Sequence, residues 1–210
     1  TAMLQMIPAL LVAITVVIQC LAVQMSRYRL SRMNASPPHH GLALMSGMLA
    51  AAAIILRLYQ NDSAVGVLFM TIMTGCMTLM TLTDAASCRL PRPFTIMYLI
   101  SGSAFRLWQG DWLTGLCSAG FWFLLLLLFR QYTSYRRKTE TIGLGDVFLI
   151  AGIAIWSPPG DIPWIVATAA GGALLYLRCN RQRRITRELP FGPFLCASQY
   201  AFTFYPGGLW

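Results

Sequence analysis

Charged residues are scarce in this chain of 210 residues. Asp, Glu, Lys and Arg together make up 11% of it, whereas soluble domains carry about 25%. Hydrophobic residues make up 57%, and several windows of about 18 or more residues hold almost no charge, which is typical of transmembrane helices. No polar stretch is long enough to fold separately. The composition therefore predicts one transmembrane domain, residues 1–210, and excludes an ordinary soluble protein.

Patterns that bind metals or form disulfides are also lacking. The six cysteines form no CxxC pair and mostly lie inside apolar segments, which favours buried structural thiols. The only histidines, His39 and His40, follow Ser and Pro residues in a loop without other ligand candidates. We therefore expect no metal site and no cofactor.

Acidic residues are few, and the basic residues are unevenly distributed. Sixteen Lys and Arg against seven Asp and Glu give a net charge of +9. Eight apolar segments are predicted as helices, at 3–24, 41–59, 64–83, 94–108, 112–129, 146–157, 162–177 and 190–205. Fourteen of the sixteen Lys and Arg lie in alternate loops, at 25–40, 84–93, 130–145 and 178–189.

This charge distribution predicts the topology, because loops with an excess of Lys and Arg face the cytoplasm. We expect an all-α polytopic membrane protein with about eight transmembrane helices and both termini on the outer, periplasmic side. The two remaining arginines, Arg57 and Arg106, lie near helix ends, from which they can snorkel outward. Topology explains the basic charge, so no nucleic-acid partner is expected.

Two aspartates from different segments are predicted to meet at the cytoplasmic face. Asp84 ends the third segment, which runs inward, and Asp146 begins the sixth, which runs outward. An ionisable group at a membrane boundary is costly unless it is paired or functional. Two carboxylates that share one proton can activate water, one as general base and the other as proton donor.

Prolines and glycines lie close to these acids. Pro91 and Pro93 break the helix that carries the first acid, and Gly143 and Gly145 leave room for another backbone, such as an extended substrate, to approach Asp146. A simpler alternative is that Asp146 only caps the sixth helix. The apolar part of that helix spans ~18 Å of a ~30 Å hydrocarbon core, so protein or water is expected to fill the remaining depth.

Three stretches together resemble the prepilin peptidases, also called type IV leader peptidases, a branch of the GxGD aspartyl proteases. Any one of them alone is weak evidence, but their order along the chain makes the resemblance specific. They are Asp84 with the Leu90–Pro91 pair and Thr95, then Gly143-Leu144-Gly145-Asp146, and finally "ELPFGPFL", which begins at Glu188 and opens the last helix.

The resemblance implies that Asp84 and Asp146 are the catalytic dyad of an aspartic endopeptidase. The expected reaction removes the short basic leader from type IV prepilins or pseudopilins, at the cytoplasmic face of the bacterial inner membrane and without a metal. The prepilin and membrane lipids are the expected partners. The residues expected to shape the substrate site are Gly143, Gly145, Glu188, Pro190 and Gly192.

The chain departs from the family pattern at three places. Arg92 follows the Leu–Pro pair where the family usually has Asp or Asn, and Phe148 stands where Lys is common. The first cytoplasmic loop, residues 25–40, has no cysteine and is far too short for the cysteine-rich domain that accompanies N-methyltransferase activity in many members. That second activity is therefore in doubt. Glu140 and Glu188 are expected to extend the dyad into an acidic mouth that attracts a basic leader.

Two other classes of protein remain open. A small proton- or cation-coupled transporter could use the same two acids, because intramembrane acids also mark ion pathways. Transporters more often place such acids near the midplane and show paired repeats, whereas these acids lie at one face and no clear repeat is visible. A structural subunit of a secretion assembly is the third possibility. The sequence does not indicate an oligomeric state.

Overall fold

The computed structural model describes residues 2–32, 40–59, 63–88, 90–137, 143–179 and 189–204. These residues form eight α-helices, one for each predicted segment. They are α1 Ala2–Arg32, α2 His40–Tyr59, α3 Ala64–Ser87, α4 Arg92–Gln109, α5 Trp112–Arg137, α6 Leu144–Trp156, α7 Ile162–Cys179 and α8 Gly192–Thr203. The predicted all-helical fold is confirmed. Two acids of the predicted mouth, Glu140 and Glu188, lie outside the described residues.

Four of the described helices are long and apolar enough to cross a membrane, namely α1, α3, α5 and α7. Two shorter apolar stretches lie in α2 and α6, at His40–Leu56 and Leu144–Trp156. The chain therefore has the helices of a polytopic membrane protein. The number of eight spans and the outer position of both termini stay predictions.

Helices α1 and α5 continue past the apolar segments that predicted them. The segments end at 24 and 129, whereas the helices end at Arg32 and Arg137. Arg29 and Arg32 occupy the last turn of α1. Basic side chains there interact favourably with the partial negative charge at a helix C-terminus. A helix can therefore extend beyond its apolar run.

Helix α3 is the most buried of the four long apolar helices and packs against α1, α2, α4 and α8. Its contact with α1 is partly polar. Thr15 Oγ1 lies 3.2 Å from Thr71 Oγ1, and Gln19 Nε2 donates to Thr74 Oγ1 at 3.2 Å. Lipid offers such groups no hydrogen-bond partner, so they bind one another across the helix interface. The order of these pairs shows that α1 and α3 run parallel.

Helix α6 has only 13 residues and is surrounded by protein along most of its length. Close packing against α4 depends on glycines in both helices. A Cβ added at Gly152 would lie 2.6 Å from the Tyr98 ring, and one added at Gly102 would lie 2.8 Å from Trp156 Nε1. Trp156 Nε1 also donates to the Tyr98 carbonyl at 3.2 Å. Protein therefore packs closely around this short helix.

Arg106 is buried, with 7% of its surface exposed, so the prediction that it snorkels outward is wrong. Its Nε donates to the Ile155 carbonyl at 2.8 Å and its Nη2 to the Ser157 carbonyl at 3.0 Å. Its Nη1 lies 3.4 Å from Asp111 Oδ2. The last carbonyls of a helix have no partner within the helix. The end of α6 is buried in protein, so its carbonyls need a donor from the protein, and Arg106 supplies it.

Candidate active site

Asp84 lies in the last turn of α3 and is buried, with 4% of its surface exposed. Its Oδ2 accepts a 2.8 Å hydrogen bond from the backbone N–H of Gly192, at the start of α8. Cys88, in the left-handed conformation with φ 50°, ends the helix, and its N–H donates to the Asp84 carbonyl at 2.8 Å. A buried carboxylate requires a hydrogen-bond donor, and for Asp84 that donor is the Gly192 N–H. The start of α8 is thus bonded to the end of α3 at this acid.

Gly192 can approach Asp84 because it has no side chain. A Cβ added at this position would lie 2.8 Å from Asp84 Oδ2 and 3.2 Å from its Cγ. Pro193 follows in the first turn of α8, where the N–H that proline lacks has no helical partner to lose. Pro190 is buried just before the helix, and Glu188 lies outside the described residues.

Asp146 lies in the first turn of α6 and is half-buried. Gly143 is the N-cap of α6, in an extended conformation and without a side-chain hydrogen bond. Asp146 is therefore not the cap residue, and the simpler alternative considered from the sequence is wrong. A Cβ added at Gly143 would lie 3.1 Å from Asp146 Oδ2, so the missing side chain leaves this carboxylate room.

Gly145 faces the connection between α3 and α4. A Cβ added there would lie 2.7 Å from Leu90 Cβ and 3.6 Å from the Leu90 carbonyl oxygen. The sequence predicts that this glycine leaves room for a second backbone, and the backbone that approaches is the chain's own. This contact holds the start of α6 against the segment that follows Asp84.

Asp84 and Asp146 line one cavity of about 280 Å³. They are close enough for their carboxylates to interact electrostatically. The structure therefore brings together the two acids that the sequence singled out. The other residues that line the cavity are Cys88, Leu90, Arg92, Gly143, Leu144, Gly145, Leu189 and Phe191.

Three helices begin beside this cavity. Arg92 is the first residue of α4, Gly143 caps α6, and Phe191 caps α8. The N-terminus of a helix carries a partial positive charge and free N–H groups, both of which stabilise anions. This arrangement offsets part of the repulsion between two neighbouring carboxylates. It explains how two acids can share a mostly buried site.

Two lining residues, Cys88 and Leu189, were not predicted as site residues. A weak signal exists for each. Cys88 lies four residues after Asp84, which places both on the same face of the α3 end. Leu189 directly precedes Pro190 of the third motif. Neither signal distinguishes a lining residue from an ordinary neighbour without the tertiary structure.

The two single-residue departures from the family pattern, Arg92 and Phe148, have different surroundings. Arg92 lines the cavity and its side chain is exposed. Phe148 is not among the lining residues, and its ring lies 5.2 Å from the Phe123 ring of α5. The change at position 148 therefore concerns packing between α5 and α6, whereas the change at position 92 concerns the site itself.

The ionisable groups that line the cavity are two carboxyl groups, the Arg92 guanidinium and the Cys88 thiol. In the part of the chain that the structure describes, no three His, Cys, Asp or Glu side chains are grouped so that they could hold a metal ion. Two carboxyl groups that share a proton can take a proton from water and give one to a carbonyl oxygen. The cavity therefore contains groups that can act as general acid and general base.

Comparisons with known proteins lead in the same direction. A family model described as the type IV leader peptidase family matches residues 71–177, which include both aspartates. Two proteins named prepilin leader peptidase/N-methyltransferase, from Burkholderia pseudomallei strains 1026b and K96243, are each 32% identical to this chain over 174 residues. The alignments cover 78% of this chain and 53% of each relative, so the chain spans about half the length of the curated relatives it matches. No solved structure matches the chain.

Proposed function

The chain belongs to the type IV leader peptidase family, and from that membership we propose that it is an aspartic endopeptidase that removes the basic leader of type IV prepilins or pseudopilins. The observation that carries the proposal is the cavity shared by Asp84 and Asp146. Neither comparison points to a transporter or to a structural subunit.

In the proposed reaction the dyad begins with one proton and one negative charge. The ionised carboxylate takes a proton from water as the water oxygen attacks the scissile carbonyl carbon, and the other acid gives its proton to the carbonyl oxygen. The resulting diol then collapses and the C–N bond breaks. The newly protonated acid gives its proton to the leaving nitrogen, and its partner recovers a proton from the diol. The dyad returns to its starting state.

The hydrogen bond from Gly192 constrains where the dyad's proton can be. Because Oδ2 of Asp84 accepts the amide N–H, a proton on Asp84 would be carried by Oδ1. The same bond prevents the carboxylate from rotating freely, so its free oxygen keeps one direction. Interacting acids of this kind titrate as a pair rather than as two separate groups.

We further propose that the site faces the cytoplasm, at the surface of the bacterial inner membrane. The acids lie at the same end of the molecule as basic helix termini. Arg29, in the last turn of α1, has its guanidinium 5.0 Å from the centre of the Phe94 ring, near the start of α4. An excess of basic residues at one end supports a cytoplasmic location for that end. In the proposed substrate, the basic leader joins an apolar helix, and this junction would lie at the cytoplasmic surface of the membrane, where the two acids are proposed to be.

The proposal concerns peptidase activity within one transmembrane domain. N-methyltransferase activity is part of the name of the two relatives, and this chain spans about half of their length. The residues between α1 and α2, 33–39, contain no cysteine and lie outside the described residues. We therefore propose no methylation step for this chain.

The direct test is co-expression with a candidate prepilin. Wild type is compared with Asp84→Asn and Asp146→Asn, and the substrate is analysed by N-terminal sequencing and mass. Leader removal is expected to be lost in both variants. Asp161→Asn is the matched control, because Asp161 lies in the turn between α6 and α7, away from the cavity. Continued leader removal by either dyad variant, at wild-type levels of protein in the membrane, would exclude the proposed mechanism.

A further inference from the structure

Arg92 lines the cavity that contains Asp84 and Asp146, and its side chain is exposed. We propose that Arg92 forms a subsite beside the dyad that binds a carboxylate group of the substrate. This inference rests on the proposed peptidase function, which it deepens by adding a specificity-determining residue. Arg92 would bind a side chain of the substrate, whereas Asp84 and Asp146 would act on the bond that is cut.

Arg92 does not serve the stability of its own helix. It is the first residue of α4, whose N-cap makes no side-chain hydrogen bond and whose first turn contains no acid. A positive side chain at a helix N-terminus opposes the positive end of the helix dipole. An arginine at this position is therefore electrostatically unfavourable for α4. Its charge belongs to the basic excess that predicts the topology, and its side chain lines the cavity instead of capping the helix.

The guanidinium of Arg92 is available to a substrate. Among the described residues, the ion pair formed within 4.0 Å joins Arg106 to Asp111, at the other end of α4, and Arg92 takes no part in it. Arg92 thus lines the same cavity as the dyad without being neutralised by it. A planar guanidinium binds a carboxylate with two parallel hydrogen bonds, whereas it repels Lys and Arg. Basic leader residues must then bind elsewhere around the cavity.

The backbone that carries Arg92 is restrained. Pro91 and Pro93 flank it, and each proline has a restricted φ. The hydroxyl of Thr95 donates to the Arg92 carbonyl at 2.8 Å. Only the side chain is then free to adjust to a ligand, and a preorganised backbone lowers the entropy lost on binding.

The test uses peptides that share one scissile sequence and carry Glu, Gln or Lys at a single position, scanned over the three residues on each side of the bond. At one position, or at two neighbouring positions, wild type is expected to show a kcat/KM about tenfold higher for Glu than for Lys. Arg92→Glu is expected to reverse this order at the same positions, and Arg92→Gln to abolish it. Arg178→Glu is the matched control, because Arg178 is exposed in the last turn of α7 and does not line the cavity.

The inference is wrong if Arg92→Glu leaves the order of the three peptides unchanged at every position. It is also wrong if Arg178→Glu changes the order as strongly, because the effect would then come from general surface charge. A second measurement separates this inference from the peptidase proposal. Fluorescent forms of the same peptides are bound to the Asp84→Asn/Asp146→Asn protein, with and without Arg92→Glu. A charge preference that reverses with Arg92→Glu supports the subsite even if wild type cuts no peptide, in which case the peptidase proposal fails.

Discussion

The backbone N–H of Gly192 donates a 2.8 Å hydrogen bond to Oδ2 of Asp84, although the two residues are 108 positions apart in the chain. A second contact, between Gly145 and Leu90, holds the start of α6 against the α3–α4 connection. The relative position of the two acids therefore depends on contacts between helix ends. These contacts lead to predictions that substitution of the acids alone would not test.

Gly192→Ala is expected to reduce leader cleavage roughly 10²-fold while the protein still inserts into the membrane. The added Cβ would lie 2.8 Å from Asp84 Oδ2, so the hydrogen bond from the residue 192 N–H to this carboxylate must lengthen or break. Displacing a reacting group by about 1 Å can reduce the rate roughly 10²-fold. Cleavage of a co-expressed substrate is the measurement. Gly171→Ala is the control, because nothing lies within 4 Å of a Cβ at that position. Wild-type cleavage by Gly192→Ala would contradict the prediction.

Gly145→Ala is expected to reduce cleavage, and Leu90→Gly is expected to restore part of it in the double variant. The reason is that the added Cβ meets Leu90 Cβ at 2.7 Å, a contact that the second substitution removes. The measurement is a double-mutant cycle on kcat/KM and on thermal stability in detergent. If the two effects simply add, the clash between residues 90 and 145 does not limit the approach of α6.

The dependence of kcat/KM on pH is expected to be bell-shaped. At low pH both carboxyl groups are protonated and no base remains, whereas at high pH both are ionised and no proton donor remains. The profile should be measured with one peptide substrate in vesicles of constant composition. Asp161→Asn should leave both limbs unchanged. A rate that rises or falls in one direction only would indicate a single essential group instead of a dyad.

Arg106→Leu is expected to destabilise the protein. Its removal leaves the Ile155 and Ser157 carbonyls without the guanidinium, and a buried polar group left unsatisfied costs about 1–3 kcal/mol. Asp111→Asn should have a smaller effect, about 0–1 kcal/mol, because the Asp111 side chain is half exposed. Thermal or denaturant unfolding in detergent distinguishes the two. Equal losses would mean that the ion pair, not the carbonyl bonds, is what Arg106 contributes.

Much of the helical architecture could be predicted from the sequence. Each of the eight apolar segments corresponds to one helix, because burial in lipid or protein selects for apolar side chains along the whole segment. The helix ends were predicted less well. Helix α5 continues to Arg137, beyond its apolar segment, since basic residues suit a helix C-terminus that reaches water.

Less of the candidate site could be predicted. Asp84 and Asp146 were singled out because acids are rare in such a chain, and the structure brings them into one cavity. The snorkelling of Arg106 was predicted wrongly, because its acceptors are carbonyls about 50 residues away along the chain. From the sequence, Arg92 is a departure from the family pattern beside the site. Only the structure shows that it lines the cavity, since Pro91 and Pro93 indicate a helix break without indicating its direction.

By itself, the sequence determined the membrane class, the number of helical segments and the identity of the two acids. These are local properties, set by the apolar character and charge of short stretches. The tertiary structure alone decided that the Gly192 amide binds Asp84, that Leu90 fills the space beside Gly145, and that Arg106 binds the end of α6. Each of these contacts joins residues that are far apart in the chain, and periodicity along a sequence carries no information about which distant backbone will approach.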